Sequence, residues 1–376
     1  MADQPIQEKP SRMFFIDNLR IYLTILVILH HLSVIYAANT NFYYLEPTKS
    51  IVSIVVLVFF QLFNQAYFMG LFFFLSGYFS PGSYDRKGPL IFLKDRLLRL
   101  GIPIIIYYYL LGPIASIGFF QMPSSITGNT SPFFWRVGIG PLWFVAMLLI
   151  FDLSYLLWRK IKQNQPVKLE QVSAPAPKFR TILLFILALT VASYLIRIIA
   201  PIGKYFVFFP SLAYLPQYIS FFILGTMACQ RDWICSIPSK YGKNGFIAVL
   251  MSILLFLVAI SPKFGSSIAY IGGGTIQSGL YALWDSIFSV GLCLALIVFF
   301  RRFFDHQKGF GRSLQRSSFT VYIIHCPIIT LLAAFLLSGI QIASMLKFCL
   351  AACISVPICF IAAYIIRKIP LINKIM

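Results

Sequence analysis

An arginine and two adjacent histidines lie within one apolar segment near the start of the chain. Arg20 and His31 are eleven residues apart, which on an α-helix places them on nearly one face, about 16 Å apart along the axis. His30 points about 100° away from His31. An imidazole can act as a general base near neutral pH. We therefore predict that His31 is a catalytic base, and the structural alternative is a hydrogen bond to a neighbouring helix.

A general base works better with an orienting carboxylate. Only Asp152 and Asp285 of the eleven acidic residues lie well inside predicted helices. Asp285 falls closer to the expected depth of His31, so it is the predicted second catalytic residue. Its neighbours Tyr281 and Trp284, together with Trp143, are aromatic residues of the kind that stack on a sugar, and they are the predicted aromatic contacts of a bound substrate.

These residues must be positioned by helices in a lipid bilayer. The chain has 376 residues, 59% of them hydrophobic and 11% charged, which leaves too little polar surface for a soluble globule. A bilayer core of about 30 Å needs about 20 apolar residues per helix. The sequence predicts an all-α, polytopic transmembrane bundle of about ten helices, with nine or eleven as alternatives. The predicted spans are 14–36, 52–79, 98–120, 140–158, 180–200, 212–229, 244–262, 278–300, 318–338 and 343–366. Pro103 and Pro113 are expected to kink or break the third span.

The formal charge of +20 has a topological explanation. With an even number of helices and a cytoplasmic N-terminus, most basic residues fall in inner loops, as the positive-inside rule requires. Both termini are therefore predicted to be cytoplasmic, and the charge needs no nucleic acid partner. A bacterial inner membrane is the predicted location.

The chain is predicted to form one domain over residues 1–376. Residues 1–13 form a cytoplasmic tail, and 161–178, rich in Pro, Gln, Ala and Lys, form a flexible cytoplasmic loop. The seven cysteines show no disulfide framework and no metal-ligand pattern, so no metal is predicted. The oligomeric state is left open.

Several motifs together resemble the acyltransferase 3 family. Arg20, ten intervening residues and His31, after the segment FIDNLR, resemble its Arg-x10-His signature. The further similar segments are Phe73-Phe74-Leu75-Ser76-Gly77, Lys94-Asp95-Arg96-Leu97-Leu98-Arg99, Pro141-Leu142-Trp143-Phe144 and Ser317-Ser318-Phe319-Thr320-Val321-Tyr322-Ile323-Ile324-His325. The resemblance spans nearly the whole chain.

This resemblance implies transfer of an acyl group, acetyl or succinyl, from cytoplasmic acyl-CoA to a hydroxyl of a carbohydrate or glycoconjugate at the outer side. Acyl-CoA is then a donor substrate, and no bound cofactor is expected. The residues predicted to bind or position the donor are Arg20, Ser76, Gly77, Arg96, Arg99 and His325. Helix packing is the alternative for Gly77, and pairing with a neighbouring helix is the alternative for His325.

Two other classes remain open at this stage. A transporter or flippase would use Arg20, His31 and Asp285 as a proton or substrate relay, but the chain shows no internal repeat. A non-catalytic scaffold would leave the polar stripe of the first helix without a role. The sequence does not decide between a covalent acyl-enzyme and direct transfer, nor does it identify the acceptor.

Overall fold

The computed structural model of the chain describes residues 12–122, 124–127, 138–162, 175–259, 267–370 and 372. Over these ranges the chain is helical and contains no β-strand. The long helices are α1 (Phe14–Ala37), α2 (Ile51–Arg96), α3 (Trp143–Ile161), α4 (Phe179–Ile199), α5 (Leu215–Gln230), α6 (Ser239–Ala259), α7 (Ile276–Phe303), α8 (Gly309–Leu331) and α9 (Ser344–Ile366).

Eight helical segments within these ranges are long and apolar enough to cross a membrane. One of them, Ile51–Gln121, has 71 residues and covers the second and third predicted spans. Helix α5, at 16 residues, covers the sixth predicted span. The predicted all-α membrane bundle is confirmed, and the total of ten spans stays a prediction.

Helix α2 is much longer than its predicted span. It has 46 residues and continues through the predicted inner segment, with one break at Gly88, where φ is 74° and ψ is 169°. A left-handed φ of this kind favours glycine, and Pro89 then starts a new helical direction. Pro89 directly follows the break, where its missing N–H removes no helical hydrogen bond.

The third predicted span is helical but irregular, in the region where its prolines indicated a kink or break. Residues 97–121 alternate between π-helical, α-helical and 3-10 turns, and Pro103 and Pro113 each lie in the first turn of a short α-helical piece. Proline has no N–H to donate to the preceding turn, and the turn before each proline is π-helical.

Loop contacts define two ends of the bundle. At one end Ile202 N donates to Ile271 O at 3.0 Å, and Lys347 forms an ion pair with Glu46. At the other end Asn18 Nδ2 donates to Phe304 O at 2.7 Å. Basic residues gather at this second end, which the charge rule predicts to be cytoplasmic.

The predicted tail and flexible loop fall largely on residues 1–11 and 163–174, which lie outside the described residues. The single-domain organisation stays a prediction.

Candidate active site

Two histidines from distant parts of the sequence meet inside the bundle. His31 on α1 and His325 on α8 place their ring centroids 4.9 Å apart, and His325 Nε2 lies 3.2 Å from His31 Nδ1. His325 is fully buried and His31 is half-buried. His325 thus contacts a neighbouring helix, and its predicted role in binding or positioning the donor stays a prediction.

Backbone carbonyls determine which ring nitrogens carry hydrogen. His31 Nδ1 lies 2.9 Å from Val27 O, and His325 Nδ1 lies 2.7 Å from Tyr322 O. A carbonyl oxygen only accepts, so both Nδ1 atoms carry the proton in the neutral rings. His325 Nε2 is then an acceptor, and His31 Nε2 keeps an available lone pair. This is the tautomer that a general base requires.

His31 faces a cavity of about 760 Å³ at the end of the bundle that carries the Glu46–Lys347 pair. His31 lines this cavity, and no hydrogen bond of its Nε2 occurs among the described residues, so the Nε2 lone pair is not used within the described part of the chain. The walls come from the start of the loop after α1, the residues before α3 and the loop between α4 and α5. The helices hold the histidines, and the loops shape most of the cavity.

Amide and aromatic side chains dominate the lining. Its polar and aromatic members are His30, His31, Asn39, Thr40, Asn41, Phe42, Tyr43, Gln61, Gln65, Trp143, Tyr205, Phe208, Ser211, Tyr214, Tyr218 and Tyr281. Many are linked: Asn39 Nδ2 donates to Gln61 Oε1 at 2.8 Å, and Gln65 Nε2 donates to the Tyr218 hydroxyl at 3.1 Å. Sequence reasoning missed Gln61 and Gln65, although two polar side chains one helical turn apart in an apolar span are a detectable signal.

Each of the two adjacent histidines packs against a phenylalanine: His31 against Phe42, which lines the cavity, and His30 against Phe68 of α2. Phe42 stacks on His31 with centroids 5.3 Å apart, and Phe68 lies 5.2 Å from His30. His30 also lines the cavity, but its Nδ1 is buried without a hydrogen-bond partner among the described residues. The arrangement leaves His31 as the histidine with an oriented, available nitrogen.

Two of the three predicted aromatic contacts line the cavity. Trp143 stacks on Tyr218 with centroids 5.6 Å apart, and the Tyr281 hydroxyl lies 3.4 Å from that of Tyr214. Trp284 does not join them. It is 1% exposed and packs on Phe256 at 4.4 Å, because its ring points into the aromatic core between α6 and α7.

The predicted support of His31 by Asp285 differs from the structure. Asp285 Oδ2 forms an ion pair with Arg197 Nη2 at 2.7 Å, with both side chains buried, and no hydrogen bond or ion pair between Asp285 and His31 occurs in the described chain. The Arg197 guanidinium lies 5.1 and 5.0 Å from the ring centroids of Tyr214 and Tyr281. Asp285 thus pairs with Arg197 of α4, and Arg197 in turn packs against Tyr214 and Tyr281, which line the cavity.

Comparison with known proteins places this architecture in a family. A family model described as an acyltransferase domain matches residues 13–364. This chain belongs to the acyltransferase 3 family. It is similar to the glucans biosynthesis protein C of Shigella dysenteriae serotype 1 (strain Sd197) and of Escherichia coli (strain K12). Each is 24% identical over 390 residues, covering 96% of this chain and 94% of the relative. No solved structure matches significantly.

In this membrane acyltransferase two family-like motifs contact each other beside the histidines. The Tyr322 hydroxyl, one turn before His325, donates to the backbone oxygen of Pro141. That bond attaches α8 to the start of α3, next to Trp143. The motifs that are separate in sequence therefore meet beside the cavity, which Pro141 and Trp143 line directly.

The three arginines predicted to bind the donor of the acyltransferase differ in their surroundings. The Arg20 guanidinium lies 4.4 Å from the Phe79 ring centroid, and the nearby carboxylate of Asp17, which acts on it electrostatically, forms its ion pair with Arg12. Arg96 pairs with the buried Asp152 at 3.0 Å, which compensates both charges. Arg99 is exposed on the π-helical turn after α2. Arg20 and Arg99 therefore retain charge available for an anionic donor.

Gly77 lies at a close helix contact, which is the packing alternative named for it, and its role as a donor contact stays a prediction. A Cβ on Gly77 would lie 2.2 Å from Phe222 O of α5, and one on Gly225 would lie 2.1 Å from Phe74 O of α2. The two glycines let the backbones of α2 and α5 touch. The adjacent Ser76 uses its carbonyl to accept a bond from Ser80 Oγ at 3.1 Å.

The acyltransferase site also contains a group of possible metal ligands. His31, His325 and Cys326 each offer one ligand atom, all within 4.8 Å of one another. Because the nearest His31 atom is the protonated Nδ1, metal binding would require loss of its bond to Val27. The prediction that no metal is used stays a prediction.

Proposed function

We propose that this acyltransferase moves an acyl group, acetyl or succinyl, from acyl-CoA to a hydroxyl of a carbohydrate or glycoconjugate held in the cavity. The observation that carries the proposal is the available Nε2 atom of His31 at the wall of a cavity rich in amides and aromatic rings.

The general base in this proposal is His31. Its Nε2 accepts the proton of the acceptor hydroxyl as that oxygen attacks the thioester carbonyl, and the thiolate of CoA leaves. The Nδ1–H remains bonded toward Val27 O, and His325 lies against the same edge of the ring. These contacts stabilise the orientation of the imidazolium that forms.

A carbohydrate fits the walls of the cavity. Planar aromatic rings such as Trp143 and Tyr281 present apolar faces, while Asn39, Asn41 and Gln65 supply donors and acceptors to hydroxyls. The name of the similar proteins, glucans biosynthesis protein C, supports an acceptor of this class.

The donor is proposed to approach from the opposite, basic end of the bundle. Arg20 lies on α1 eleven residues before His31, about 16 Å along the axis, and its cation can pair with a phosphate of CoA. Arg99 is a second candidate. Neither a resident cofactor nor a metal takes part in the proposed reaction.

The positive-inside pattern supports a cytoplasmic donor side and an outer acceptor side. With the similarity to bacterial proteins, we propose a multi-pass protein of the bacterial inner membrane. A transporter reading predicts substrate movement without any ester product, so the two functions give different products.

The test uses inside-out membrane vesicles that contain the full chain, labelled acetyl-CoA or succinyl-CoA, and a glucan acceptor inside the vesicle. We expect an alkali-labile ester on the glucan. His31→Ala should lower the rate about 10²- to 10⁴-fold, and His306→Ala, an exposed histidine outside the cavity, should retain it. Normal transfer by a folded His31→Ala protein would remove His31 from the mechanism.

A further inference from the structure

A second cavity lies between α8 and α9 at the end of the bundle opposite the candidate active site. Its volume is about 380 Å³, within the range of small-ligand sites. It is lined by Gly309, Arg312, Ser313, Arg316, Tyr364, Arg367 and Lys368. Four of these residues are cationic, and no acidic side chain occurs among the described lining residues.

The cations stand close enough to affect one another. Burial, and then the charge of Arg316, lower the pKa of Arg367. Lys368 Nζ lies 4.9 Å from the Tyr364 ring centroid. Arg312, Arg316 and Lys368 place further like charges around the same concave space, and a concave space lined by charges of one sign attracts an ion of the opposite sign. The positive-inside rule explains basic residues at this end, but it does not explain their gathering around a cavity.

An apolar stripe leads away from the cavity along α9. Ile358, Ile361 and Ile365 follow one another at intervals of three and four residues, are 37%, 58% and 58% exposed, and continue in line with Lys368. Phe310, next to the lining residue Gly309, is 77% exposed. A free phosphate needs only the cations, whereas a phospholipid would use both the cations and the stripe.

We propose that this cavity binds the phosphate headgroup of an anionic phospholipid, whose acyl chains lie along the stripe of Ile358, Ile361 and Ile365. Guanidinium groups pair with phosphate through several N–H donors. Basic pockets between membrane helices on the cytoplasmic side hold lipid headgroups of this chemistry. The lipid would join α8, which carries His325, to the end of α9.

The test titrates the purified full chain in neutral detergent with phosphatidylglycerol and counts bound lipids by native mass spectrometry. The double variant Arg312→Gln/Arg316→Gln removes two exposed cations. At about 1 kcal/mol per cation, its affinity should fall about 30-fold. Arg312→Lys/Arg316→Lys keeps the charge and should bind more tightly than the glutamine variant.

Lys240→Gln/Lys243→Gln is the matched control, because it removes two exposed cations outside the cavity lining and should bind as the wild type does. Phosphatidylcholine should bind more weakly than phosphatidylglycerol at this site. The proposal is overturned if the Arg312→Gln/Arg316→Gln protein keeps wild-type affinity or if phosphatidylcholine binds equally well. Displacement of the lipid by inorganic phosphate or by CoA would also overturn it, and would assign the cavity to that soluble anion.

Discussion

His325 Nε2 lies 3.2 Å from His31 Nδ1, so α8 contacts the base-bearing ring of α1 at its protonated edge. The same Nδ1 lies 2.9 Å from Val27 O, and Phe42 stacks on the ring. These three contacts fix the orientation of His31 and direct its lone pair away from α8. His325 is therefore a positioning residue in the proposed reaction.

Replacing His325 should slow the chemical step. His325→Ala removes the ring that lies against His31, and misplacement of a base by about 1 Å can cost about 10²-fold in rate. We expect kcat to fall by about that factor while the KM for acyl-CoA stays unchanged, as measured by initial rates in vesicles. A raised KM with a normal kcat would instead assign His325 to donor binding.

Breaking the buried pair on α4 and α7 should destabilise the protein. Asp285→Asn leaves the Arg197 cation uncompensated in the core, at a cost of about 3–5 kcal/mol in the free energy of unfolding. The double variant Arg197→Met/Asp285→Leu should recover most of that loss, as read from unfolding midpoints in detergent. If Asp285→Asn kept full stability and lost activity, Asp285 would return to the catalytic machinery.

The close approach of α2 and α5 gives a matched pair of glycine substitutions. A Cβ on Gly77 would meet Phe222 O at 2.2 Å, whereas one on Gly82 of the same helix meets nothing within 4 Å. Gly77→Ala should lower the free energy of unfolding by about 1–3 kcal/mol through overpacking, and Gly82→Ala should not lower it. Equal thermal midpoints for the two variants would contradict the backbone contact.

Acceptor binding should depend on the ring that stacks on Tyr218. Trp143→Ala removes a cavity wall, and loss of about 1.5 kcal/mol of aromatic contact corresponds to about a tenfold higher KM for the glucan. Trp158→Ala, on the same helix but outside the cavity lining, is the control. A fall in kcat without a change in the acceptor KM would argue against a binding role for Trp143.

The apolar pattern predicted the elements that hold the site. The first span, 14–36, matches α1 (Phe14–Ala37), and Pro141-Leu142-Trp143-Phe144 opens α3 as expected. Hydropathy predicts such helices because each crosses the bilayer on its own and satisfies its backbone hydrogen bonds internally. His31 could also be selected from the sequence, because an ionisable side chain inside a membrane helix is energetically costly and usually has a function.

The partners of these residues could not be predicted in the same way. Helix α8 begins at Gly309 and not at the predicted 318, because its first turns are polar and give no hydropathy signal. Asp285 has a partner only when α4 lies beside α7, which no local pattern determines. Arg197 lies three residues and Asp285 seven residues from the predicted outer ends of their spans, so both fall in the outer halves, and that coarse match of depth was the available signal for the pair.

The division of the site between helices and loops affects how its specificity can evolve. His31 and His325 lie on packed helices, whereas Asn41, Tyr43 and Tyr205 lie in connecting segments. Connecting segments accept insertions and substitutions more readily than packed helices do. A lineage could therefore exchange one acceptor for another by changing a few loop residues, while the proton-transfer chemistry passes unchanged from ancestor to descendant.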